Sequence, residues 1–344
     1  GKELAKTKQI DTFEPCEVSG ETRYILTVGG LNVVDLKNNV EVYLTDGTNN
    51  SQTVTYGAES FAAQTRDDES LCGLVIAMMK YIGSASEYFD PKGYLRDGDY
   101  IYFGEYAQTR VTDEALTEIL DEQASEWKSY GYYAGGAVSD YMQYTDVEYD
   151  GKKYRGVKFT QYRMDTTTFS DTTWQDDNGY ETDTTYWFKY EAIKWRIVAE
   201  SGGTATLVCD MVLDGREFNA AVADGNDYAE SDIRAWLNET FFMTAFSAED
   251  IEIIEASFVD GSEDNVYLLD ASAAGELTEE IRQKAASDYA ACQGVKTDGG
   301  FAAWLLRSGT LTANAYYVYC TGDIYSQPVN YTNTGICPVI TIVL

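Results

Sequence analysis

The chain is predicted to be α+β, with a small strand-and-helix domain over residues 1–91 and a larger mixed domain over residues 92–344 built of short antiparallel strands and long loops. Three observations carry this. The run YWFKYEAIKWRIV, Tyr186 to Val198, sets the aromatics Tyr186, Trp187, Phe188, Tyr190 and Trp195 against the cations Lys189, Lys194 and Arg196, the alternation of a half-buried strand pair. Downstream, FAAWLLRSGTLTANAYYVYCTGDIYS (Phe301 to Ser326) and TGICPVITIV (Thr334 to Val343) read as three more short strands divided by turn-rich loops. The length, 344 residues, is that of about two domains at ~150 residues each, with ample chain for a core.

In the first domain, YILTVG (Tyr24 to Gly29), LNVVDL and VEVYLTDG are short alternating strands, and Asp46-Gly47 is a tight-turn dipeptide. A helix follows, capped by Asp67 or Asp68, with Leu71, Leu74, Val75, Met78 and Ile82 at helical spacing to cover one face of the small sheet. Proline, glycines and charges in DPKGYLRDGD (Asp90 to Asp99) mark the boundary. The second domain opens with YIYFGEYAQTRV as a strand. A helix starts near Thr112, with Asp113 and Glu114 in its first turn and Leu116, Ile119, Leu120, Ala124 and Trp127 as its buried stripe; Gly131 ends it. From Tyr130 to Asp183 aromatics recur without a period, so this stretch reads as loops around the strand YRGVKFTQYR. Beyond the Tyr186–Val198 block, ATLVCDMVL is a strand and SDIRAWLNETFFMTAF is a helix capped by Ser231. SAED (Ser247 to Asp250) is a capping box, NVYLLD is a strand, and LTEEIRQKAASDYAACQG is a helix stopped by Gly294.

Composition then removes whole classes of function. Lys and Arg number 25 against 57 Asp and Glu, a formal charge of −32, which repels phosphate backbones and anionic membranes; nucleic acid is excluded as a partner. No apolar run reaches the ~18 residues of a membrane span. The acidity fits solubility in an extracellular setting and also admits calcium, although no cofactor is required. The chain has no histidine, so Ser-His-Asp and Cys-His catalysis and histidine-ligated zinc or iron are ruled out. G-x-G-x-x-G, G-x-x-x-x-G-K and G-x-S-x-G are absent as well. A pair of carboxylates working as acid and base survives this filter, as in a glycan hydrolase.

Cysteines stand at positions 16, 72, 209, 292, 320 and 337 with no C-x-x-C, so neither a zinc ribbon nor a thioredoxin-like motif is present. Their scatter is compatible with an oxidising compartment. Cys72 and Cys292 fall in predicted helices and Cys209 in a predicted strand, where a cysteine is usually a small buried apolar residue. Cys320 and Cys337 lie on two late strands that a sheet would set side by side. The polar start after Gly1 shows no signal peptide, and a native leader is expected to have been cut away.

Two resemblances add to this. The strand-turn-strand-helix unit ending in MMKYIGSASEYF, roughly Tyr24 to Phe89, resembles a module repeated in secreted proteins of Gram-positive gut bacteria. From about Asp97 to Leu344, the blocks GDYIYFGEYAQTRV, SYGYYAGG, SDYMQYTDVEYDGKKYRGVKFTQYR, QDDNGY, YWFKYEAIKWRIV, SDIRAWLNETFFMTAFS, DYAACQGV, WLLRSGT and NAYYVYCTGDIYS resemble, in order, a family of uncharacterised secreted domains from gut Firmicutes. The late W-x-L-R-S block at Trp304 and the G-x-x-P block at Gly335 look like the C-type lectin-like fold shared with formylglycine-generating enzymes and with ligand-display proteins diversified by retroelements.

The enzymes of that wider fold do not transfer. Their sulfoxide synthases need histidine ligands, and the formylglycine-generating enzymes use two closely spaced late cysteines, whereas Cys320 and Cys337 lie far apart. The resemblance therefore implies ligand display between Thr310 and Asn333, with Asn314, Tyr317, Tyr319, Asp323, Tyr325, Asn330 and Tyr331 as the ligand residues. This mixture of amphipathic aromatics and short polar side chains suits adaptable recognition, and equally suits strands and turns. The reading is a secreted or cell-surface, non-catalytic protein that binds a glycan or a host or cell-surface protein and does not insert into a membrane; a carboxylate-dependent hydrolase acting on a glycan is the alternative. Arg307 is expected to be buried and paired. QDDNGYETD (Gln175 to Asp183) has acids at calcium-like spacing without a full calcium loop, so no metal ligand is assigned. Because the resembling family carries other residues at both positions, Cys320 and Cys337 are expected to form a disulfide that pins the display segment.

Overall fold

The computed structural model describes residues 14–18, 21–25, 39–43, 48–64, 78, 94–134, 137–138, 141–164 and 174–344. The strand LNVVDL, the Asp46-Gly47 turn, Cys72 and, apart from Met78, the helix expected around Leu71 to Ile82 lie outside the described residues. In the first segment Glu14–Val18 pairs with Glu21–Ile25, Val40–Val42 pairs with Val54–Tyr56, and Ala58–Gln64 is a helix.

The rest is mixed α+β, mainly strands in several antiparallel sheets with mostly short helices. Its axis is Thr185–Ser201, a single strand of 17 residues where the sequence predicts a strand pair. The run Tyr186 to Val198 holds no glycine, proline, asparagine or aspartate on which to turn. The chain reverses only at Gly202 and Gly203, with φ of 63° and 88°. One side of the strand pairs with Tyr100–Arg110. The other side pairs first with Lys152–Phe159, from Lys158↔Thr185 to Tyr154↔Lys189, and then with Thr204–Cys209, from Trp195↔Cys209 to Ser201↔Thr204. Its length thus joins two antiparallel units into one ten-stranded sheet, extended by Met142–Tyr149 and by Val339–Val343.

Opposite the register shift at Ala192 to Lys194, Gly104 takes φ 67°, and a Cβ there would sit 2.7 Å from the Phe246 ring and 2.8 Å from the Ala245 carbonyl. Glycine is what lets this strand approach the helix so closely. Phe188, Trp195, Leu207, Trp304 and Ile340, all without exposure, form the main core. Trp187 belongs to a smaller cluster with Val111, Leu120, Val147 and Tyr154 beneath the helix Glu114–Gln123.

That helix starts at Glu114, and Asp113, expected in its first turn, is instead its cap, the carboxylate accepting from Leu116 N at 3.1 Å. It ends at Gln123 rather than Gly131, because Lys128–Ser129 is drawn into the sheet beside Met142–Tyr149. Trp127 therefore leaves the buried stripe and meets Lys158 Nζ at 3.9 Å. The Ser231-capped helix forms as expected over Asp232–Trp236, a π-helical turn Leu237–Phe241 and Phe242–Ala245, and Ser247 and Asp250 close the predicted capping box. The expected helix ending at Gly294 is broken into Glu279–Arg282 and Asp288–Cys292. Between them Lys284 and Ala286 bridge to Ala302 and Val212, and the buried Lys284 Nζ donates to the Cys209 carbonyl at 2.7 Å.

A second sheet of five strands runs in the order Asp214–Gly215, Gly335–Ile336, Trp304–Gly309, Asn314–Val318, Ile324–Pro328. This order overturns the expected disulfide. Trp304–Gly309 stands between the strand that leads into Cys337 and the strand that leads into Cys320. Cys337 Sγ lies instead against the Cys209 carbonyl at 3.1 Å, and Cys320 Sγ faces the Lys296 carbonyl at 3.7 Å. Cys209, Cys292, Cys320 and Cys337 are buried free thiols, and burial pushes the Cys337 thiol up to about 11.

Candidate functional site

The five-stranded sheet ends in a hairpin, Asn314–Val318 against Ile324–Pro328, whose outer strand pairs with nothing else among the described residues. The two-residue period of a strand sends Ala315, Tyr317 and Tyr319 to one face, and the register Tyr317↔Tyr325 puts Tyr325 on that same face. Three tyrosines therefore converge. Ring centroids are 6.3 Å apart for Tyr317 and Tyr325, 6.0 Å for Tyr319 and Tyr325, and 6.4 Å for Tyr317 and Tyr319. The two contacts of Tyr319 are edge-to-face, at 74° and 83°, the arrangement favoured by ring quadrupoles. Tyr325 is 51% exposed, and Tyr317 and Tyr319 are half-buried.

The hairpin turn is held tightly. Tyr319 N donates to the Asp323 carbonyl at 2.8 Å and Gly322 N to the Tyr319 carbonyl at 2.8 Å. Thr321 Oγ1 donates to Asp323 Oδ2 at 2.8 Å, and Arg282 Nε to the Gly322 carbonyl at 2.6 Å. A cation extends the aromatic row: Lys296 Nζ lies 4.6 Å from the Tyr319 ring and 4.9 Å from the Trp174 ring. Its backbone is fixed by Lys296 N donating to the Asn333 carbonyl and Ala303 N donating to the Lys296 carbonyl. The result is a continuous strip, Trp174, Lys296, Tyr319, Tyr325 and Tyr317. Burial pushes the Tyr317 phenol up, and Tyr319, Tyr325, Cys320 and Tyr331 add to the shift, so its hydroxyl keeps its proton at neutral pH and remains a donor.

Of the residues singled out in the sequence, Tyr317, Tyr319 and Tyr325 are brought together, and Tyr331 is within electrostatic reach of Tyr317. Asp323 organises the turn. Asn314 sits at the far end of the hairpin, where its carbonyl accepts from Asn226 Nδ2 at 2.8 Å, and Asn330 is buried. Sequence reasoning missed Trp174 and Lys296, which come from two other segments and carry no spacing signal that links them to the hairpin.

The QDDNGYETD stretch braces its neighbours. Trp174–Asp177 is a short helix, and Asn178 Nδ2 donates to the Ala291 and Val295 carbonyls, both at 2.9 Å, which ties Trp174's segment to the one bearing Lys296. Among the described residues no three Cys, Asp or Glu side chains gather to hold a metal ion. Arg307 is paired as expected, with Asp270 at 2.9 Å and Asp260 at 3.5 Å.

Residues 202–344 match a protein family described as a domain of unknown function, DUF6273. That stretch contains the whole hairpin and Lys296, while Trp174 lies before it. No curated protein and no solved structure matches the chain.

Proposed function

We propose that this is a secreted or cell-surface, non-catalytic binding protein of C-type lectin-like type that takes up a glycan on the strip formed by Trp174, Tyr319, Tyr325 and Tyr317. The observation that carries the reading is the convergence of three tyrosines from two paired strands, one of them 51% exposed, on a turn fixed by its own hydrogen bonds. Aromatic faces accept the C–H face of a sugar ring, and rings held by neighbours lose little freedom on binding. Lys296 and the exposed Asp323 flank the rings with groups that bond hydroxyls. A protein ligand would use the same aromatics.

A glycan array with the full chain, repeated with Tyr319→Ala and Tyr325→Ala, tests the reading. Each substitution is expected to weaken binding about fivefold or more, as for a central interface residue. Unchanged affinity in both folded variants would overturn it. The hydrolase alternative draws on Glu105, the one carboxyl among the described residues whose pKa is raised, by burial first and then by the charge of Asp250. Glu105 is an exposed position between the half-buried Gly104 and the buried Tyr106. Catalytic turnover of glycans that is abolished by Glu105→Gln would favour that alternative.

A further inference from the structure

Away from the aromatic strip, the end of the Tyr100–Arg110 strand, the start of the Glu114–Gln123 helix and the start of the Thr185–Ser201 strand enclose a pocket of about 420 Å³, within the size range of small-molecule sites. Arg110 lines it with its guanidinium 4.6 Å from the Tyr186 ring and 5.5 Å from the Tyr180 ring, a stacking that orients the cation. Its side chain meets no carboxylate among the described residues. Arg96, Arg155, Arg163, Arg196, Arg234 and Arg307 are each paired with one, whereas Arg282 bonds the Leu277 and Gly322 carbonyls and Arg216, like Arg110, lies over aromatic rings.

The same pocket is lined by Glu114 and Glu118, both exposed and neither paired with a cation among the described residues. Four positions apart on one helix, they present two like charges whose Cβ atoms are about 5–6 Å apart. Thr112 and Thr185 add hydroxyl groups to the wall. The pocket therefore offers one unpaired cation and two unpaired anions.

We propose that this pocket binds a free basic α-amino acid of the lysine or ornithine type, a ligand distinct from that of the aromatic strip. Its carboxylate pairs with the Arg110 guanidinium, whose planar fork suits a carboxylate. Its two ammonium groups pair with Glu114 and Glu118, a gap that three or four methylenes span. Charge decides among ligands: a neutral amino acid leaves one glutamate unpaired, and a diamine leaves Arg110 unpaired. The net charge of −32 draws a cationic ligand in.

Calorimetric titration of the full chain with L-lysine, L-ornithine, L-norleucine and cadaverine tests this. Lysine or ornithine is expected to saturate the site, with norleucine, which lacks the side-chain ammonium, and cadaverine, which lacks the carboxylate, at least about tenfold weaker. Arg110→Gln should weaken lysine at least about tenfold and bring it level with cadaverine, and Glu118→Gln should erase the preference for lysine over norleucine. Both variants alter exposed side chains; an unchanged circular-dichroism spectrum and a cooperative melt verify their fold, with Arg110→Gln melting a few degrees lower for its lost ring contacts. Tyr319→Ala should leave lysine binding intact, which separates this site from the strip. Equal affinity for lysine, norleucine and cadaverine, or no saturable binding of lysine and ornithine up to about 10 mM, would overturn the proposal.

Discussion

Lys296 ties the hairpin that carries the tyrosine cluster to the segment that carries Trp174, and removing its charge tests whether the strip is a prebuilt unit. In Lys296→Met the aliphatic stem is kept and the ammonium is lost, so packing along the stem survives while both ring contacts, at 4.6 and 4.9 Å, disappear. Half-buried cation–π contacts contribute about 0.5–1 kcal/mol each. The variant should therefore lose about 1–2 kcal/mol, a fall of roughly 2–6 °C in melting temperature for a unit of this size. A double-mutant cycle isolates the pair term. Urea unfolding of the parent, Lys296→Met, Trp174→Leu and the double variant should give a coupling of about 0.5–1 kcal/mol between the two positions. A coupling indistinguishable from zero would refute the idea that Lys296 joins Trp174 to the hairpin, and with it the single continuous strip.

Three further outcomes follow from the packing. Gly104→Ala combines a positive φ with a Cβ 2.7 Å from the Phe246 ring, and should cost roughly 2–4 kcal/mol in a denaturant melt. Burial pushes the Asp146 carboxyl up, but its two hydrogen bonds from Arg155 at 2.8 and 2.9 Å outweigh this and hold the pKa below the usual carboxylate value. That stability is present above the unfolded value near ~4 and is lost as pH falls through the depressed folded value, so Asp146→Asn should cost about 1.5–3 kcal/mol at neutral pH and flatten the acid limb of the stability curve. Alkylation under denaturing, non-reducing conditions should find Cys320 and Cys337 both as thiols; recovery of a peptide in which they are joined would contradict the strand order given above.

Local chemistry was readable in the sequence wherever a few neighbouring residues settle the matter. Ser231 and the Ser247–Asp250 box cap helices as their side chains dictate, because a cap needs only its own next three residues. The density of tyrosines between Thr310 and Asn333 likewise singled out Tyr317, Tyr319 and Tyr325, which the hairpin register brings together. Decisions that depend on which segment lies beside which were out of reach. The Tyr186–Val198 run became one long strand because two antiparallel units of one sheet pair along it, and Cys320 was kept from Cys337 because Trp304–Gly309 enters between their strands. Trp174 and Lys296 joined the hairpin through tertiary contacts, the Asn178 bonds to the Ala291 and Val295 carbonyls and the Lys296 ammonium over the Tyr319 ring. Side-chain character, period and caps are short-range properties written in the order of the residues. Strand neighbours and cation–ring contacts are chosen by the burial of the whole core, and only the tertiary structure decided them.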